Sequence, residues 1–216
     1  MKQALARHRW WWLLSLLVWG AAQAGILALD IKHRIEDQYG RDGVARLERW
    51  ETLVWDNVYE STPNKLNRVN DFFNQLRFVS DSDHWQQEDY WATPFETLAS
   101  NGGDCEDFAI AKYFTLRQLG IPASQLRITY VKALRQNQAH MVLTFYPDDD
   151  SEPLVLDILE KDVLPASQRT DLVPVYTFNA EGLWEARTRG QERRLGEATD
   201  IGMWRELQLR MGVGQL

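Results

Sequence analysis

The sequence predicts an α+β protein, with helices from its first half packed on an antiparallel sheet from its second. Three observations carry this. Apolar residues recur at helical steps as far as Leu119, the period drops to two from Leu126 onward, and Pro147-Asp148-Asp149-Asp150 has the composition of a turn between two short apolar runs.

At the N-terminus, Lys2, Arg7 and Arg9 precede an apolar run from Trp10 to Ala22 that closes on Ala22-Gln23-Ala24. This charged, apolar and small-residue order is that of a cleavable export signal. The run is short of the roughly 20 residues a stable membrane-crossing helix needs. Residues 1–24 are therefore read as a signal peptide and 25–216 as a single mature domain, soluble outside the cytoplasm, since roughly 190 residues suffice for one core. The formal net charge is −7 and becomes more negative without the leader, which argues against nucleic acid or anionic lipid as partners.

Leu27, Ile31, Ile35 and Tyr39 mark a first amphipathic helix that ends at Gly40. Asp42 then caps a second, carrying Val44, Leu47, Trp50 and Val54. A third starts with Thr62 as N-cap and Pro63 in the first helical position, and turns Leu66, Val69, Phe72, Phe73 and Leu76 inward. Thr93-Pro94-Phe95-Glu96 is a capping box opening a short helix over Pro94 to Ser100. Asn101-Gly102-Gly103 breaks it with a sharp turn, and Asp104 caps a further helix from Cys105 to Leu119, stopped by Gly120 and Pro122.

Cys105 is the single cysteine of the chain, so it cannot close an intramolecular disulfide. In a first helical turn, free N–H groups and the helix dipole favour its thiolate. Asp104, Glu106 and Asp107 oppose this with three neighbouring negative charges. A hard cation bound by these carboxylates and turn carbonyls would relieve the conflict. The acids also suit simple capping and dipole roles at a helix start, and both readings stay open at this point.

Leu126 to Val131, His140 to Tyr146 and Leu154 to Leu159 read as strands. If Pro147 to Asp150 form a four-residue hairpin loop, Leu143 pairs with Leu154 and His140 lies opposite Asp157 on the same face. A one-residue slip would separate them. Asp157 is also an acid in an apolar strand, and such a group needs a partner. Cys105, His140 and Asp157 then supply nucleophile, base and orienter, with the Cys105 N–H in the oxyanion hole and Trp91 or Asn101 as candidate second donors. His33, on a helix, and His84, in a polar loop, are not placed in the machinery.

Cysteine opening a helix, histidine on a following strand and aspartate on the next resembles the transglutaminase-like branch of the papain-like fold. More closely, the segments Tyr90 to Glu96, Gly103 to Tyr113, Ala139 to Leu143 and Leu156-Asp157 resemble the bacterial transglutaminase-like cysteine proteinases of LapG type. The resemblance implies a periplasmic, calcium-dependent endopeptidase that cuts the N-terminal region of a large cell-surface adhesin between two alanines, releasing it and dispersing biofilm. It implies a second partner, an inner-membrane cyclic-di-GMP receptor whose periplasmic domain sequesters the protease. It also implies calcium ligation by Asp104 and Glu106, with Asp107 and Asn101 as further ligands.

Beyond the motifs, Val175 to Phe178 and Leu183 to Glu185 predict a hairpin around Ala180-Glu181-Gly182. Ile201, Trp204, Leu207 and Met211 predict a closing helix ended by Gly212. Arg187, Arg189, Arg193 and Arg194 form a basic run of the kind usually solvated. Two other functions fit the same residues: acyl transfer to an amine by the same triad, and a non-enzymatic calcium-binding protein with an inert cysteine.

Overall fold

A computed structural model describes residues 6–148, 151–186 and 193–212, with side chains from residue 31 onward. The chain clusters into two units, 1–45 and 46–216. The first is helical: α1 (Ala6–Asn57) runs through it and is interrupted at Gly40, whose φ of 72° breaks the helical geometry where the sequence placed a glycine stop. Among the described residues no helix is long and apolar enough to cross a membrane.

The second unit holds the rest of the fold. The end of α1 is followed by α2 (Thr62–Phe73), the short β1 (Arg77–Phe78), α3 (Asp81–His84), α4 (Pro94–Ser100), β2 (Gly102–Gly103) and α5 (Cys105–Gln118). Then come β3 (Leu126–Ala133), β4 (Gln138–Phe145), β5 (Leu154–Leu156), β6 (Leu164–Pro165), β7 (Leu172–Asn179), β8 (Gly182–Glu185), β9 (Arg194–Gly196) and α6 (Gly202–Arg210). Strands β3 to β9 form one antiparallel sheet in the order β6-β5-β4-β3-β7-β8-β9.

The local signals act as their chemistry requires. Thr93 Oγ1 accepts the Glu96 N–H at 3.2 Å while Glu96 Oε2 accepts the Thr93 N–H at 2.7 Å, a reciprocal cap for α4. The N-cap of α2 is Ser61, one residue before the expected Thr62, so Pro63 occupies the second position of the helix. Leu66, Val69 and Phe73 are buried, as is the polar Asn70 on the same stripe.

Helix α5 is buried along most of its length and lies against α2, β3 and β4. This fixes its N-terminal end, and hence Cys105, relative to the central strands. At the other end of the chain, Trp204 of α6 is fully buried, stacked on Phe114 and edge-on to Phe178. The predicted hairpin forms with Phe178 opposite Leu183 and Tyr176 opposite Glu185. Of the basic run, Arg187 and Arg189 lie outside the described residues. Arg193 pairs with Glu185, and Arg194 with Glu197.

The register of β4 on β5 corrects the sequence-based one. Leu143 pairs with Leu156 and Phe145 with Leu154, two residues away from the expected Leu143–Leu154 pairing. The strand also stops at Leu156, leaving Asp157 just past its end. The connection takes up more residues than a four-residue turn; Asp148 Oδ1 already accepts the Ser151 N–H at 2.7 Å. A shift of two preserves the side-chain face, because the pleat repeats every second residue.

Candidate functional site

Cys105 stands at the first position of α5, separated from the β2 glycines only by the N-cap Asp104. Neither glycine is there for a left-handed backbone; that conformation falls on Asn101, with φ of 64°. They are required by close approach. A Cβ on Gly102 would lie 2.7 Å from the Arg77 carbonyl oxygen, and one on Gly103 would lie 2.3 Å from Asp107 Oδ2. The turn is thus compressed between β1 and the first turn of α5.

Asp107 explains part of that compression. Its buried carboxylate accepts the Ala92 N–H at 2.7 Å and the Asp104 N–H at 3.3 Å. It therefore ties the segment before α4 to the start of α5 and does not face solvent.

His140 and Asp157 meet as expected despite the altered register: Nε2 of the imidazole lies 2.7 Å from Asp157 Oδ1, with both residues buried. Asp157 is also held by the Leu159 N–H at 3.1 Å and by Arg169, whose guanidinium lies 2.7 Å from Oδ2. Burial alone would raise its pKa. The hydrogen bond and charge of His140, with the hydrogen bonds from the Leu159 N–H and Arg169, outweigh it and bring the carboxyl down to about 2. An aspartate so held stays ionised and can fix the tautomer of the ring. With Nε2 committed to Asp157, Nδ1 is the ring nitrogen left for another partner.

Cys105 and His140 line one cleft of about 700 Å³, together with Trp91, Tyr130, Met141 and Tyr176. The rings of Tyr130 and Tyr176 stack at 5.0 Å and build one wall. Cys105 and His140 thereby share one cleft, with Asp157 bonded to the imidazole. Neither candidate oxyanion donor is placed: the Trp91 indole bonds Asp89, and Asn101 sits at the C-terminal end of α4 outside the cleft lining. His84 packs edge-on to Trp85, also outside it.

The same cleft is strongly acidic. Carboxylate oxygens of Asp81, Asp104 and Asp107 lie within 4.8 Å of one another, as do those of Asp81, Asp89 and Glu106. Asp81 Oδ1 and Asp104 Oδ1 are buried without a hydrogen-bond partner among the described residues. Burial raises Asp81 to about 6, with Glu106 and Asp89 adding to it. Burial also raises Asp89, Asp104 and Asp107, each pushed further by Glu106. The Cys105 thiol is pushed up as well, by burial first and then by Glu106 and Asp104. Its sulfur lies 3.0 Å from Glu106 Oε2.

Clustered carboxylates, two of them with orphaned buried oxygens, are the donor set of a hard divalent cation. Asp104 and Glu106 were legible from the sequence. Asp81 and Asp89 were not, since they come from α3 and the loop after it and are far from Cys105 along the chain. Arg169 was also missed; it lies in an irregular stretch before β7.

A thiol at a helix start, an imidazole on the neighbouring sheet and a buried carboxylate behind it define a papain-like cysteine peptidase of the transglutaminase-core type. The chain belongs to the bacterial transglutaminase-like cysteine proteinase family, whose pattern matches residues 49–179. Among solved structures it is similar to Legionella pneumophila LapG, at 46% identity over 84% of this chain and 96% of that one, with a TM-score of 0.74. It is similar also to the EGTA-treated form of that protein, at 47% identity over 84% of this chain and 96% of that one, with a TM-score of 0.74. The calcium-bound form matches at 47% identity over 83% of this chain and 97% of that one, with a TM-score of 0.72. No curated protein matches the chain.

Proposed function

We propose that this protein is a periplasmic, calcium-dependent cysteine endopeptidase that uses Cys105, His140 and Asp157. Its substrate is the N-terminal region of a large cell-surface adhesin, cut between two alanines to release the adhesin and disperse biofilm. The observation that carries the peptidase chemistry is the 2.7 Å bond between His140 and Asp157 in the wall of the cleft that holds Cys105.

His140 takes the thiol proton on Nδ1 while Asp157 holds Nε2–H and stabilises the imidazolium. The thiolate attacks the substrate carbonyl, and the Cys105 N–H faces the developing oxyanion. His140 then returns the proton to the leaving amine, and water resolves the acyl-enzyme. Asp104, Glu106 and Asp107, with Asp81 and Asp89, would hold calcium, Asp107 also bracing the turn beside them. Bound calcium supplies positive charge that offsets the acids around the thiol. The likeness to a protein solved both calcium-bound and EGTA-treated supports this assignment.

The leader of residues 1–24 supports export to the periplasm. Control by an inner-membrane cyclic-di-GMP receptor, binding through its periplasmic domain, is the regulation proposed on the resemblance to LapG-type proteinases. The test is cleavage of a peptide containing an Ala-Ala bond, with calcium or with EGTA, by the wild type and by Cys105→Ala. Cleavage by the wild type in calcium alone is expected. Cleavage by Cys105→Ala at the wild-type rate removes the proposal. A labelled amine added to the reaction separates hydrolysis from acyl transfer, which the same triad can perform.

A further inference from the structure

Lys112 lies near the middle of α5, two helical turns beyond Cys105, and is 1% exposed. A lysine so placed is costly to bury without partners. It has two: Nζ donates to Asn70 Oδ1 and to Asn74 Oδ1, each at 2.7 Å. Charged or neutral, the amine has the two N–H groups that these oxygens require. Both asparagines come from α2 and its C-terminal end.

Engaging the two oxygens fixes the orientation of each amide and turns its NH2 group the other way. The outward groups meet the segment after β5. Asn74 Nδ2 donates to the Asp157 carbonyl at 2.8 Å and to that of Glu160 at 3.2 Å. Asn70 Nδ2 donates to the Lys161 carbonyl at 2.9 Å and to that of Glu160 at 3.4 Å. This segment lies between the end of β5 at Leu156 and the start of β6 at Leu164. Its backbone therefore has no strand ladder, and the asparagines take that place.

We propose that Lys112, acting through Asn70 and Asn74, positions Asp157 for its bond to His140. None of the three lines the cleft, so they are positioning residues and act on the chemistry only through Asp157. The arrangement couples the helix that carries the nucleophile to the loop that carries the orienter. The inference rests on the reading of Asp157 as the orienter of His140.

The test measures the rate of Cys105 alkylation by iodoacetamide at pH 7 in calcium on the full chain. It compares Lys112→Met, Asn74→Ala and Asp157→Asn, alone and combined, with folded fractions from circular dichroism. Lys112→Met and Asn74→Ala should each slow labelling by about tenfold to a hundredfold, the scale of a misplaced catalytic group. In the Asp157→Asn background each should add less than about twofold, because the residue they act through is already disabled. Equal slowing in both backgrounds would mark a merely structural role and overturn the proposal, as would no slowing while Asp157→Asn alone is slow. Wild-type labelling by Asp157→Asn itself would instead remove the orienter reading and the proposal with it. If Lys112→Met does not fold, Asn74→Ala, at a half-buried position, decides by the same comparison.

Discussion

The Cys105 sulfur and Glu106 Oε2 lie 3.0 Å apart, and the thiol donates its hydrogen to that carboxylate. That contact stabilises the protonated, unreactive form, in line with the upward push that burial, Glu106 and Asp104 give the thiol. A cation that claims Glu106 removes the acceptor and adds positive charge.

The first prediction is therefore made on the thiol itself. Alkylation of Cys105 at pH 7 should be at least about tenfold faster in calcium than in EGTA, since each pKa unit recovered changes the thiolate fraction tenfold. Glu106→Gln should weaken the calcium response. Equal rates in calcium and EGTA would separate the acidic cluster from the chemistry.

A second prediction concerns stability. Burial and then neighbouring acids raise Asp81 to about 6, and burial also raises Asp104 and Asp107. A carboxyl whose folded pKa exceeds its unfolded value near 4 binds more protons when folded, so its contribution is present at low pH and is lost as pH rises through the folded pKa. Chelated protein should thus lose stability between pH 5 and pH 8, while calcium-loaded protein should not. The gap in Tm should reach about 5 °C or more at pH 8. Thermal unfolding at several pH values checks this, and a gap that does not grow with pH contradicts it.

Asp157 should behave in the opposite sense. Its pKa is depressed to about 2 because His140, Leu159 and Arg169 together outweigh burial. Its stabilisation is present above about pH 4 and is lost as pH falls toward 2. Arg169→Met leaves the buried carboxylate with less compensation and should cost about 3 kcal/mol in denaturant unfolding at pH 7. The loss should shrink at pH 3, where the variant's aspartate can take up a proton. A cost unchanged across that range would mean that Arg169 acts through packing and not charge.

Much of the site was readable because its signals are local. The capping box at Thr93, the helix start at Cys105 and the glycine stop at Gly40 each depend on residues within one turn of each other. The His140–Asp157 meeting was readable through alternation: even with the register wrong by two residues, the faces stayed right. What sequence did not reveal joins distant segments. Asp81 reaches Asp104 from α3, Arg169 reaches Asp157 from beyond β6, and Arg210 of α6 stands over the Tyr90 ring while bonding Glu96. No local pattern distinguishes such residues from ordinary surface charge.

The glycines before Cys105 allow a last prediction, in which sterics are separated from backbone entropy. Gly103 does not have positive φ, so alanine is compatible with its backbone, yet the new Cβ would stand 2.3 Å from Asp107 Oδ2. Asp107 cannot retreat without releasing the Ala92 and Asp104 N–H groups that it holds. Gly103→Ala should therefore cost about 1–3 kcal/mol by overpacking and displace the first turn of α5, reducing peptide cleavage more than stability alone accounts for. Gly202→Ala, at the start of α6 with open space around it and no positive φ, is the matched control and should change stability by less than about 1 kcal/mol. Peptide cleavage per folded molecule, measured for both variants, isolates the effect: if Gly103→Ala matches Gly202→Ala, the close approach of β2 to Asp107 does not set the position of the nucleophile.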